Sequence, residues 1–293
     1  MGSYRRLIWI SLLLFFISSQ SACLFSKKVR VGTAALLLED VAKASYKQSD
    51  LRVIREGMPA YLMLMDGMIE AWPDNERLLI AAAQSYSSFA SVFVADQDKE
   101  YAQLLYGRAR AYALSALVKR GFKDPMKSTF EDFQKDVKAC SKKDVPYVFW
   151  GAACWASWIM ANLDSMEAMA ELPRVELMMR RALELDEGFY YGGPHLFMGM
   201  WFAARPAIAG GDLKKAKGHF LKALDLGEGK FLMAYIYYAE NYARRALDKD
   251  LFVSTLNKVL ETPADCLPEL TLLNTVAQKK AKELLHNADE YFE

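Results

Sequence analysis

The chain has 293 residues, and its 53% hydrophobic and 13% aromatic content is high for a soluble protein and ample for a large core. Its 37 lysines and arginines balance 36 acids, which excludes a bulk field for collecting nucleic acid or anionic lipid. Only three histidines occur, His195, His219 and His286, none in a metal-ligand spacing, so neither a metal site nor a cofactor is expected.

The first predicted element is a leader. Arg5 and Arg6 precede an apolar run over residues 7–17, and small or polar residues then lead to Cys23. A bilayer core needs about 20 helical residues, more than this run supplies. Residues 1–22 therefore read as a secretory signal peptide and residues 23–293 as a single helical-repeat domain. Ser21 and Ala22 directly before a cysteine resemble the lipobox of bacterial lipoproteins, in which that thiol is diacylated and becomes the new N-terminus. Gln20 departs from the leucine usual three residues before the cysteine. Lipidation at Cys23 and simple cleavage with release are the two outcomes left open. The remaining Cys140, Cys154 and Cys266 cannot all pair and form no CxxC, which leaves buried thiols or one bridge such as Cys140 to Cys154.

Beyond residue 30, apolar residues recur at spacings of three and four and alternating strand patterns are missing, so the protein is read as all-helical. Helices are expected over residues 31–46, from the Ser49-Asp50 cap to Trp72-Pro73, from Asp74-Asn75 to about residue 94, and from residues 96–98 to Gly121. A polar stretch follows, with one short helix begun by Ser128-Thr129-Phe130-Glu131. Further helices are placed over residues 148–166, 173–185, 193–209, 212–226, 231–246, 249–260 and 268–292.

Internal repetition separates a solenoid from a bundle. In "GGDLKKAKGHFLKALDL", Ala216, Phe220 and Ala223 stand four and three apart, as in the second helix of a tetratricopeptide repeat, where small residues admit a neighbouring helix and an aromatic fills the gap. Weaker echoes occur at Ala60-Leu64-Gly67, Ala102-Tyr106-Ala109 and Val175-Met179-Ala182. Their last positions, 67, 109, 182 and 223, give intervals of 42 and 41 residues, longer than the tetratricopeptide period of about 34. The expected fold is an α-α superhelix of degenerate tetratricopeptide-like repeats.

No catalytic constellation is visible. There is neither a G-x-S-x-G elbow nor a cysteine beside a plausible histidine, and "GEGK" at residues 227–230 lacks the upstream glycine and strand of a phosphate loop. The chain is read as a non-enzyme. Residues 119–143 carry eight lysines or arginines with Phe122, Phe130 and Phe133, either a solvated connection or a partner-docking surface. Two aromatic concentrations are the candidate ligand-binding residues. "YVFWGAACWASWI" supplies Trp150, Trp155 and Trp158; "GFYYGGPHLFMGMWFAARPAIAGGD" supplies Tyr190, Tyr191, Trp201, Phe202 and Arg205. They form either core between repeats or an apolar groove, with Arg205 available for an acidic head group.

The ordered series "LLYGRARAYALSAL", "YVFWGAACWASWI", "GGPHLFMG", "GGDLKKAKGHFLKAL", "AYIYYAENYA" and "LLNTVAQKKAKELL" resembles the tetratricopeptide-containing T component of TRAP transporters, the tripartite ATP-independent periplasmic transporters. The resemblance implies a periplasmic lipoprotein of helical repeats, a ring-like homotrimer with a central pore, and binding to the extracytoplasmic solute-binding protein of a TRAP system. It also implies an apolar small-molecule cleft in each protomer, a lipid anchor in a bacterial membrane, with the outer membrane permitted, and no catalytic residue. The alternative is a tetratricopeptide-like lipoprotein scaffold for an envelope complex, with no small-molecule ligand.

Overall fold

The computed structural model describes residues 27–292; the leader and Cys23 lie outside the described residues. Among these, every regular element is helical and none is a strand. The helices are α1 (Lys27–Tyr46), α2 (Leu51–Ala71), α3 (Glu76–Phe89), α4 (Lys99–Lys119), α5 (Phe130–Ala139), α6 (Val145–Ala161) and α7 (Met166–Ala170). They continue as α8 (Leu172–Leu185), α9 (Phe189–Ala204), α10 (Leu213–Leu226), α11 (Leu232–Tyr238), α12 (Lys249–Glu261), α13 (Thr271–His286) and α14 (Ala288–Phe292).

Side-chain caps start many of them. Asp50, Asn75, Asp98, Thr129, Asp212 and Asp248 each accept hydrogen bonds from the otherwise orphaned amides of the first turn. The ends differ more from expectation. The helix expected over 148–166 starts at Val145 and stops at Ala161, and α7 follows separately. That expected over 193–209 stops at Ala204, because Arg205 precedes Pro206 and takes an extended conformation. The third helix and the one expected over 231–246 each close in a π-helical turn, Ala90–Val94 and Ala239–Ala243. The expected C-terminal helix is broken into the 3-10 turn Pro268–Leu270, α13 and α14.

The helices pack in sequence. α3 lies along α4, α6 between α4 and α8, α9 along α10, and α11 and α12 against α13. Three of the four small-large-small triplets are buried at these seams. Ala109, Val175, Met179, Ala182, Ala216, Phe220 and Ala223 are fully buried, with Ala102 and Tyr106 nearly so. Gly199 of α9 faces the Phe220 ring so closely that a Cβ there would meet three ring atoms at 3.0 Å. The triplet Ala60-Leu64-Gly67 is the exception. Leu64 is 59% exposed, and α2 instead buries Leu62, Met65 and Ile69. A triplet overlooked in the sequence, Phe252, Leu256 and Val259 of α12, is fully buried at the same spacing.

The two ends of this row meet. α1 packs on α2 and also touches α13 and the turn Pro268–Leu270, while α2 reaches α13. Residues 119–143 fold as a connection whose Phe122 and Phe133 are buried and whose Lys123, Lys127 and Lys135 pair with Asp132, Asp124 and Glu131. Cys140, Cys154 and Cys266 are free thiols, so Cys140 and Cys154 do not bridge. Burial pushes the Cys140 thiol up to about 11 and the Cys154 thiol up to about 12, which leaves both protonated and inert as nucleophiles.

Because Phe220 is enclosed and Leu64 is not, Phe220→Ala is expected to cost about 3–5 kcal/mol and Leu64→Ala less than about 0.5 kcal/mol. Urea unfolding of the two variants measures both.

Candidate functional site

The meeting of the two ends leaves a cavity of about 640 Å³ between them. One wall is the C-terminal half of α1, a second is α2 with the inner face of α3, and the start of α13 closes the far side. Trp150, Tyr190 and Tyr191 lie on its lining. The α3 wall carries Gln84, Ser85 and Ser88 beside Phe89 and Phe93, so a short polar strip runs along an otherwise apolar surface. Residues three and four apart share a helix face, which puts Ser88 beside both Gln84 and Ser85.

Backbone geometry aims the two tyrosines. Tyr190, Tyr191 and Gly192 are all left-handed, with φ of 48°, 57° and 78°. That conformation costs an ordinary L-residue roughly 1–2 kcal/mol, and it persists only where surrounding packing over-determines it. The packing here is aromatic. Tyr190 meets Trp150 edge-on at 4.8 Å and Phe231 at 5.8 Å, and Phe149 meets Trp150 at 5.1 Å. Gly192 is required at its place because a Cβ would come within 3.0 Å of the Ala223 backbone. Burial pushes the Tyr190 phenol well above its ordinary range, so it is a neutral hydroxyl at physiological pH.

The other five candidate residues are elsewhere. Trp155 is fully buried, and its indole N–H donates to Glu171, which also accepts from the Arg110 guanidinium at 2.6 Å. The same guanidinium covers the Trp158 ring at 3.8 Å. This unit ties α4 and α6 to the turn before α8. Trp201 is buried under the guanidinium of Arg205, 3.5 Å from its ring centroid, and Arg205 lies 3.8 Å from Glu176. Phe202 stacks on His219 at 5.6 Å. Arg205 is thus engaged by α8 and is not among the residues lining the cavity. Conversely, the α1, α2 and α3 walls went unrecognised in the sequence. The serine-rich "QSYSSF", residues 84–89, was the available signal, since small hydroxyls interrupt a helix that otherwise buries its apolar residues.

A model of the family described as the TRAP transporter T-component matches residues 47–292. The chain belongs to the TRAP transporter T-component family. An uncharacterized protein of Treponema pallidum (strain Nichols) is 24% identical over 272 residues, covering 86% of this chain and 84% of its own length. Of the cavity walls, α1 lies before the matched region and the others lie within it. Among the described residues no helix is long and apolar enough to cross a membrane, and no cluster of three histidines, cysteines or acids is arranged to hold a metal ion.

The segment that carries Tyr190 and Tyr191 is clamped at both ends. Glu187 lies before it and His195 after it, and their side chains meet at 3.1 Å. His195 Nδ1 in turn faces His219 Nδ1 at 2.9 Å, a contact between α9 and α10 in which one imidazole donates and the other accepts. Lys222 pairs with Glu187 at 3.5 Å. Burial first, then the charges of His195 and Arg180, hold the His219 imidazole below the ordinary histidine value of 6.5.

Two outcomes follow for the T-component. Gly192→Ala is expected to cost at least about 1 kcal/mol by chemical denaturation, against a gain of up to about 1 kcal/mol for Gly218→Ala, where a methyl meets open space on α10. The folded state also binds fewer protons at His219 than the unfolded chain does. That contribution is complete above pH 6.5 and is lost as pH falls through 6.5 toward the depressed folded value. The thermal midpoint is expected to drop from about pH 7.5 to about pH 5.5, and to drop less in His219→Gln.

Proposed function

We propose that this T-component is a non-enzymatic, extracytoplasmic accessory subunit of a TRAP-type transport system. It docks the solute-binding subunit and holds an apolar or amphipathic small molecule in the cavity between α1, α3 and α13. The observation that carries the ligand half is the cavity itself: about 640 Å³, walled by Phe89, Phe93, Trp150 and Leu270, and within the size range of small-molecule sites. Family membership carries the transport half. A lipid on Cys23 would hold the cavity beside a membrane in the periplasm. A trimer would bring three such cavities around one axis.

The scaffold reading, with no ligand, draws on Trp155, Trp158 and Trp201. These indoles lie in packed cation-covered clusters rather than in a groove. It leaves the left-handed backbone at Tyr190 and Tyr191 without a use.

Affinity capture of the full chain from its native envelope tests both halves at once. The expected result is stoichiometric recovery of a solute-binding protein, with an apolar molecule in the organic extract. Ser88→Trp, which fills the cavity from an exposed position on α3, is expected to abolish the extractable molecule and keep the partner. Recovery of neither partner nor molecule sinks the transport role; recovery of the partner alone favours the scaffold.

A further inference from the structure

We infer that the cavity selects an uncharged amphiphile, with an apolar body and a head bearing hydroxyl, ether or amide groups, over a carboxylate, a phosphate or an ammonium of the same length. The inference rests on the cavity being a ligand site and specifies what that ligand is.

The charge content of the wall is the first ground. Among the described residues no lysine, arginine or histidine lines the cavity, and the one acidic side chain on its lining, Glu269, is exposed at the rim. Guanidiniums that could have served an anion are engaged elsewhere. Arg108 pairs with Asp66 at 3.2 Å, Arg110 with Glu171 at 2.6 Å, and Arg205 lies over Trp201. An anionic head entering this wall would give up its hydration without gaining a counter-charge, and would approach the Glu269 carboxylate as it passed the rim. A cationic head would find that same carboxylate only at the mouth, where water screens it, and no other acid among the described lining residues.

The second ground is the polar groups that are present. Gln84 presents an amide, which both donates and accepts, and no described residue hydrogen-bonds it. Ser85 donates its hydroxyl to the Ala81 carbonyl at 2.8 Å and lies beside the phenol of Tyr61, a further neutral hydroxyl on the lining. Ser88 lies on the same strip, and Tyr46, Tyr61, Tyr190 and Tyr191 add phenols that burial keeps neutral. Such a set matches an alcohol, an amide or an ether and gives an ion nothing to offset its desolvation.

Size limits the body. A volume of about 640 Å³ holds on the order of twenty water-sized groups. A head with a chain of roughly ten carbons fits within that volume, whereas a two-chain phospholipid does not.

The test uses the full chain and three probes of one length, 1-decanol, decanoate and decyltrimethylammonium, titrated at about pH 8, where decanoate is ionised. Tryptophan fluorescence reports binding, with Trp150→Phe identifying the cavity signal. Decanol is expected to bind, and decanoate and the ammonium to bind at least about tenfold more weakly. Gln84→Leu is expected to weaken decanol about three- to tenfold. Glu269→Lys is expected to strengthen decanoate while leaving decanol unchanged. Decanoate or the ammonium binding as tightly as decanol, with the signal abolished in Trp150→Phe, overturns this inference and leaves the cavity a ligand site. Binding of none of the three overturns both.

Discussion

A row of paired helices encloses a space only if its ends come together, and here that contact is between α1 and α2 on one side and α13 with the turn Pro268–Leu270 on the other. The contact depends on curvature, and curvature depends on how closely successive helices approach. Fully buried alanines at 109, 182 and 223, and the Gly199 to Phe220 fit, set that approach. Larger residues at those seams would splay the pairs, as over-packing does in any close-packed interior. The cavity is therefore a property of the whole helical array rather than of the residues that line it.

Local chemistry was the most legible part of the fold. Asp50, Asn75, Asp98 and Asp212 cap helices where their residue types said they would, because a cap is decided within three residues. Three small-large-small triplets were also readable. The fourth, Ala60-Leu64-Gly67, failed because spacing establishes that residues share a face without saying what that face meets. The π-helical turns at Ala90–Val94 and Ala239–Ala243 left no readable mark, since one extra residue in a helix does not disturb apolar periodicity enough to notice. The left-handed backbone at Tyr190 and Tyr191 was not anticipated, because nothing about a tyrosine announces positive φ; the surrounding rings impose it.

Three of the eight candidate aromatic and arginine residues came together at the cavity, and the division has a physical basis. Trp155, Trp158 and Trp201 each have a guanidinium over the ring, and those guanidiniums pair with Glu171 or Glu176. Such a sandwich of ring, cation and acid is saturated: its faces are taken and its charges answered. Trp150 and Tyr190 are instead held by other rings, with no guanidinium over either among the described contacts. A sequence in which arginines lie tens of positions from the rings they cover gives no means of telling the two kinds apart.

The wall supplied by α1 stands apart from the rest of the cavity. The family match begins at residue 47, immediately after α1 ends at Tyr46, so one side of the cavity is built from a segment that the shared pattern does not describe. In engineering terms the matched helices are the chassis and α1 is a panel fitted to it: changes confined to residues 41–46 would reshape one side of the cavity while leaving the buried seams at Ala109, Ala182 and Ala223 untouched.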